Sequence, residues 1–87
     1  MLKDYEEETL FRLFDNGIIG EKGYCSVQKA ASIIKWRDIS QKYRVKKSFL
    51  NVLWNLRSKG YVDFHGKGGD VVSLSRLGVA YVLGRKV

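Results

Sequence analysis

Residues 37–78, RDISQKYRVKKSFLNVLWNLRSKGYVDFHGKGGDVVSLSRLG, set a short amphipathic helix pattern, a basic turn, a longer helix pattern and a glycine-tipped hairpin end to end without a linker. Helical periodicity gives way to strand alternation within this one segment, so both kinds of element belong to one packed unit. Arg37 to Tyr43 forms the short helix, with Ile39 and Tyr43 one turn apart. Lys47 to Lys59 forms the longer one. Placed at about 100° per residue, Phe49, Val52, Leu53 and Leu56 cover a contiguous apolar arc, with Leu50 at its edge. Lys47, Asn51, Asn55 and Ser58 fall on the opposite arc, joined by Ser48 and Lys59. Gly60 stops this helix. Tyr61–Phe64 and Val71–Leu74 then make an antiparallel hairpin around HGKGGD.

The flanks supply the remaining elements. A first helix is expected from an Asp4 N-cap to about Asn16, with Leu10, Leu13 and Phe14 as its buried stripe and Gly17 just past its end. Glu6, Glu7 and Glu8 sit in its first turn, where the helix dipole favours negative charge. Consecutive helical residues point about 100° apart, so these three carboxylates are a helix start and not a metal site. Residues 18–25, punctuated by Gly20 and Gly23, are expected as a loop or short extended segment. Ser26 should cap a helix from Val27 to about Lys35 with Val27, Ala30, Ala31 and Ile34 inward, and the apolar register then shifts, which places a break near Trp36. Ser75 should cap a last helix, Arg76 to Leu83, ending at Gly84 and apolar nearly all the way round. The expected fold is a single α+β domain over residues 1–87, with four or five helices and a two-stranded hairpin.

The formal net charge of +7 is unevenly placed. Residues 1–23 set three Lys and Arg against six Asp and Glu, whereas residues 24–87 set thirteen against three. An acidic end on a basic body serves solubility, and it also creates a field suited to polyanions. No apolar run is long enough to span a membrane. The acidic start MLKDYEEETL is unlike a signal peptide. Cys25 is the only cysteine, which excludes an internal disulfide and points to an intracellular protein.

Catalytic motifs are weak. The glycines of HGKGGD lie between two strands and lack the GxxxxGK[ST] spacing and following helix of a phosphate loop. His65 and Cys25 each stand alone, without a second ligand at metal spacing. No nucleophile–base set stands out, so neither an enzyme nor a cofactor or metal is expected. Trp54, at the border of the polar arc, either packs on a neighbour such as Trp36 or the first helix, or anchors a protein partner.

DISQKYRV, SFLNVLWNLRSKGYV and VVSLSRLGVAYV, in that order, resemble the helix-turn-helix, first wing strand, second wing strand and following helix of the winged-helix superfamily, in particular small archaeal and multiple-antibiotic-resistance-type regulators. The resemblance covers roughly residues 26–84, with the helix-turn-helix over about 37–59, the wing over 61–74 and the terminal helix over 76–83. It departs from the pattern at Arg44, where many relatives have Gly, and at Trp54. It implies that the second helix of the motif enters a DNA major groove while the wing touches the backbone. Asn51 and Asn55, with Ser48 third, are then the base-reading candidates, because Asn pairs bidentately with adenine. Lys42, Arg44, Lys46, Lys47, Lys59 and Lys67 are the phosphate candidates. The expected function is double-stranded DNA binding by a small transcriptional regulator or chromatin-type protein, archaeal or archaeal-viral in type, cytoplasmic and associated with the nucleoid. The alternative is a protein-interaction module or accessory subunit of a polymerase or other DNA-processing complex. Trp54, Leu77, Val79 and Leu83 are the candidates for partner contact. A homodimer through the last helix is expected, with Leu77 and Ala80 turned toward the first helix and Val79 and Leu83 outward.

Overall fold

The computed structural model describes residues 2–66 and 68–86, and of Lys86 the backbone alone. Its elements run α1 (Asp4–Asp15), α2 (Gly20–Gly23), β1 (Cys25–Ser26), α3 (Val27–Ile33), α4 (Trp36–Lys42), α5 (Phe49–Ser58), β2 (Val62–His65), β3 (Val71–Leu74) and α6 (Arg76–Lys86). The α+β class is as expected, but its details differ. Six helices are present among the described residues, because residues 20–23 close one helical turn where a loop or short extended segment was expected. The sheet has three antiparallel strands in the order β1-β3-β2, not two. β1 is only two residues long, with Cys25 opposite Val72 and Ser26 opposite Val71, and two residues carry no readable alternation. The β2–β3 pair runs from Val62 opposite Leu74 to His65 opposite Val71.

Helix α1 is the post around which the others stand. Its cap is Lys3 and not Asp4: the Lys3 N–H donates to the Glu6 carboxylate at 3.0 Å, so the carboxylate one turn inside the helix satisfies its entry. Leu10 and Leu13 are fully buried. They share the inward face with Thr9, whose hydroxyl donates to the Tyr5 carbonyl at 2.7 Å. Arg12 donates to the Ile34 carbonyl at 2.8 Å and so satisfies an acceptor beyond the end of α3.

Ser26 caps α3 as expected, its hydroxyl accepting from the Lys29 N–H at 3.1 Å. The break between α3 and α4 comes one residue earlier than expected, at Lys35, which takes the left-handed conformation with φ 58°. Trp36 therefore opens α4, and its ring meets Phe49 at 5.2 Å between centroids. Arg44, where a Gly would be usual, also lies in the left-handed region with φ 53°. Ser40 closes the turn around it: its backbone carbonyl accepts from the Val45 N–H at 2.9 Å and its hydroxyl donates to the Val45 carbonyl at 3.2 Å.

Helix α5 begins at Phe49, two residues after the expected start, because the Ser48 hydroxyl accepts from the Asn51 N–H at 3.2 Å and makes Ser48 the cap. Phe49, Val52, Leu53 and Leu56 are buried, the arc expected from the sequence. Gly60, at φ 86°, turns the chain so that the Tyr61 N–H reaches the Leu56 carbonyl at 3.0 Å and β2 starts antiparallel to β3.

Ser75 ties the ends of the motif together, donating to the Gly60 carbonyl and accepting from the Gly78 N–H at 3.1 Å. A Cβ at Gly78 would lie 2.1 Å from the Tyr61 carbonyl oxygen, so this glycine lets α6 close against the chain entering β2. That approach sets the helix rotation: Gly78 and Val82 face inward, while Leu77 and Ala80, expected against the first helix, are exposed. Helix α6 also continues through Gly84 to Lys86. The core combines Leu10 and Leu13 with Ile34, Ile39, the α5 arc, Val62, Val72, Leu74 and Val82.

Candidate nucleic-acid interface

Because Phe49, Val52, Leu53 and Leu56 are spent on the core, α5 presents its opposite face to solvent. Asn51 and Ser58 are exposed on that face and Asn55 is partly buried. Ser58 donates to the Trp54 carbonyl at 3.0 Å, and the Ser48 hydroxyl is engaged as the helix cap. Of the three base-reading candidates, Ser48 therefore already has a structural duty. The Asn51 backbone N–H donates to the Ser48 hydroxyl, and its exposed side-chain amide has no hydrogen-bond partner among the described residues. Lys46 and Lys47 are exposed immediately before α5, beside the positive end of its dipole, and Arg44 is exposed in the preceding turn. Among the described residues these three cations form no ion pair. Lys67 lies outside the described residues.

The other two phosphate candidates are held by α1. Lys42 meets Glu8 at 3.1 Å and Lys59 meets Glu6 at 3.4 Å. The three consecutive glutamates each serve a different element: Glu6 the end of α5, Glu7 the α6 side chains Tyr81 and Arg85, and Glu8 the α4 side chain Lys42 together with Tyr43 and Arg12. Burial pushes the Glu8 carboxyl up, but hydrogen bonds from Tyr43 and Lys42 and the charges of Arg12 and Lys42 outweigh it and hold the group below its ordinary value. The hydrogen bond to Glu7 pushes the Tyr81 hydroxyl up to about 12. Lys42 and Lys59 are solvent-accessible, so a phosphate can still compete for them.

The ring partner of Trp54 is not Trp36, which meets Phe49 instead. The Trp54 ring stacks on Phe64 of β2, with centroids 4.7 Å apart and planes 28° apart, and the Arg57 guanidinium lies 5.2 Å from the same ring. Even so, Trp54 is 44% exposed and Leu50, one turn before it, is 43% exposed. Arg57 and Phe64 were not singled out from the sequence. Arg57 was findable as the i+3 neighbour of Trp54, whereas Phe64 required the fold. Ile19, Leu74, Val79, Ala80 and Leu83 line an apolar groove of about 400 Å³, with Leu77 exposed on the same helix as the last three.

His65 and Cys25 stay apart from this face. His65 is within 3.0 Å of the Ser73 hydroxyl and tilts against Tyr24, while burial pushes the Cys25 thiol up. Among the described residues, no helix is long and apolar enough to cross a membrane. Comparison of the chain with protein-family models, curated proteins and solved structures finds no match.

Proposed function

We propose that the chain is a winged-helix protein that binds double-stranded DNA, with α4 and α5 as its helix-turn-helix and the β2–β3 hairpin as its wing. The observation that carries this is the division of α5. One face is wholly buried, and the other turns Asn51, Asn55 and Ser58 outward behind three cations, Arg44, Lys46 and Lys47, that form no ion pair among the described residues. The polar face supplies amides that match adenine, and the cations supply sequence-independent attraction to phosphate. A regulatory or chromatin role in a nucleoid accords with binding of this kind.

The exposed Leu50 and Trp54 on the same helix favour a second reading, a protein-contact module within a DNA-processing assembly. A homodimer accompanies either role. Helix α6 supplies part of the groove lining, including the exposed Leu83, and beside it carries the exposed Leu77, which a second copy can meet across a two-fold axis.

Selection from random duplex DNA tests the first reading. Asn51→Ala and Asn55→Ala should each weaken the selected site by about 1–3 kcal/mol and leave nonspecific binding nearly unchanged. If both variants select the parent's sequence with the parent's affinity, α5 does not read bases.

A further inference from the structure

We infer that Leu50 and Trp54 form an apolar reader for the 5-methyl group of thymine, which directs α5 to A·T-containing sites. The inference rests on the proposal that α5 faces duplex DNA. On a helix, residues three and four apart are surface neighbours, so Trp54 lies beside both Leu50 and Asn51. An amide suited to adenine and an apolar patch are thus adjacent on one solvent-facing surface.

The major-groove edge of an A·T pair carries that same pair of features. Adenine offers the N7 acceptor and N6 donor, and thymine offers the O4 acceptor and a methyl group, the one apolar feature on the groove floor. G·C pairs have no counterpart to the methyl. A Leu–Trp patch therefore gains contact area over thymine and gains nothing over cytosine.

The alternatives for these two side chains are core packing and a protein partner. Core packing fails on exposure, since Leu50 and Trp54 stay open to solvent after the fold is complete. Against a protein partner stands the charge around the patch. Arg57 lies against the Trp54 ring, Lys46 and Lys47 are exposed immediately before α5, and the segment from Ser48 to Ser58 carries no Asp or Glu. An apolar patch on a helical segment that bears cations and no carboxylate fits the floor of a groove flanked by phosphates. The stack on Phe64 fixes the indole, so little conformational freedom remains to be lost on contact.

The test places the change in the DNA, where it cannot unfold the protein. Two alternating A·T duplexes of about 20 base pairs, two helical turns, carry either thymine or uracil, which lacks only the methyl. A methyl buried in contact is worth about a fourfold change in affinity, so the thymine duplex should bind about four- to twentyfold tighter for one or two methyls. Leu50→Ala and Trp54→Ala should bring that ratio toward one. Leu50→Ala removes only an exposed side chain, and so leaves the core intact as a second variant if Trp54→Ala disturbs the fold. In a Trp36→Phe background, 5-iodouracil in place of thymine should photocrosslink to Trp54. Ordinary salt-dependent binding with equal affinity for both duplexes would overturn methyl readout and leave duplex binding standing. A thymine preference that both variants retain would overturn the assignment to these residues. Salt-independent or absent binding to every duplex would remove the underlying proposal as well and turn the patch toward a protein.

Discussion

Glu8 accepts hydrogen bonds from Arg12, Lys42 and Tyr43 and thereby ties α1 to the end of α4. Its carboxyl is held below the ordinary value of 4.5, and a lowered folded-state pKa has a definite sign. The stability it contributes is fully present above pH 4.5 and is lost as pH falls through the folded value. Glu8→Gln should therefore cost about 1–2 kcal/mol in urea unfolding at neutral pH, by loss of charge-assisted hydrogen bonds at a partly screened site. The gap between variant and parent should close on acidification. A gap that stays constant down to about pH 3 would show that shape, not charge, matters at this position. The first-turn location of the glutamates was legible from the sequence. Their partners were not, because Lys42, Tyr43, Lys59 and Tyr81 lie 34, 35, 53 and 74 residues away and nothing local selects them.

At the scale of the element, α5 was read most completely, because ten residues of strict periodicity decide which face is buried. Its start was misplaced by two residues. A Ser can be the cap or the first residues can be helical, and periodicity weighs only the apolar positions. The cap has a consequence for the proposed interface. Ser48→Ala should cost about 1 kcal/mol of stability. Ser48→Asp should keep the cap, since Asp caps as well as Ser, yet add a negative charge between Lys47 and Asn51 and lower affinity for duplex DNA about tenfold. Thermal unfolding and a DNA titration on the same two variants separate these effects. Equal DNA affinity for Ser48→Asp and the parent would place the α5 N-terminus away from phosphate. Elements with little or no period were lost: β1 has two residues, and α2 is a single turn between glycines. The rotation of α6 was also illegible, because nearly every position on that helix is apolar and a contact at one glycine, Gly78, chooses the inward face.

For the whole molecule, the acidic and basic halves of the sequence do not simply form opposite poles. Three carboxylates of α1 are folded back onto cations of α4, of the end of α5 and of α6, so part of the positive charge is spent internally, and among the described residues Arg44, Lys46 and Lys47 form no ion pair in the turn before α5. Assembly should follow the apolar side of α6. Burying a Leu or Val side chain is worth roughly 1.5–3 kcal/mol, so two copies meeting through Leu77, Leu83 and the groove would associate at micromolar concentration. Sedimentation equilibrium should give a dimer for the parent and a monomer for Leu83→Glu. A parent that stays monomeric at high concentration sinks that arrangement, as does a dimer indifferent to the new charge.

The most direct measurement is the affinity for random duplex DNA as a function of salt. Neutralising about three to five phosphates releases their condensed counterions, so log affinity should fall against log salt with a slope of about −3 to −5. Replacing Arg44, Lys46 and Lys47 together by Ala should reduce that slope by about three, while replacing the exposed Lys29 and Lys35, which lie outside the turn before α5, should leave it unchanged. A parent slope near zero, or one that survives the loss of all three cations, would contradict duplex binding through this face.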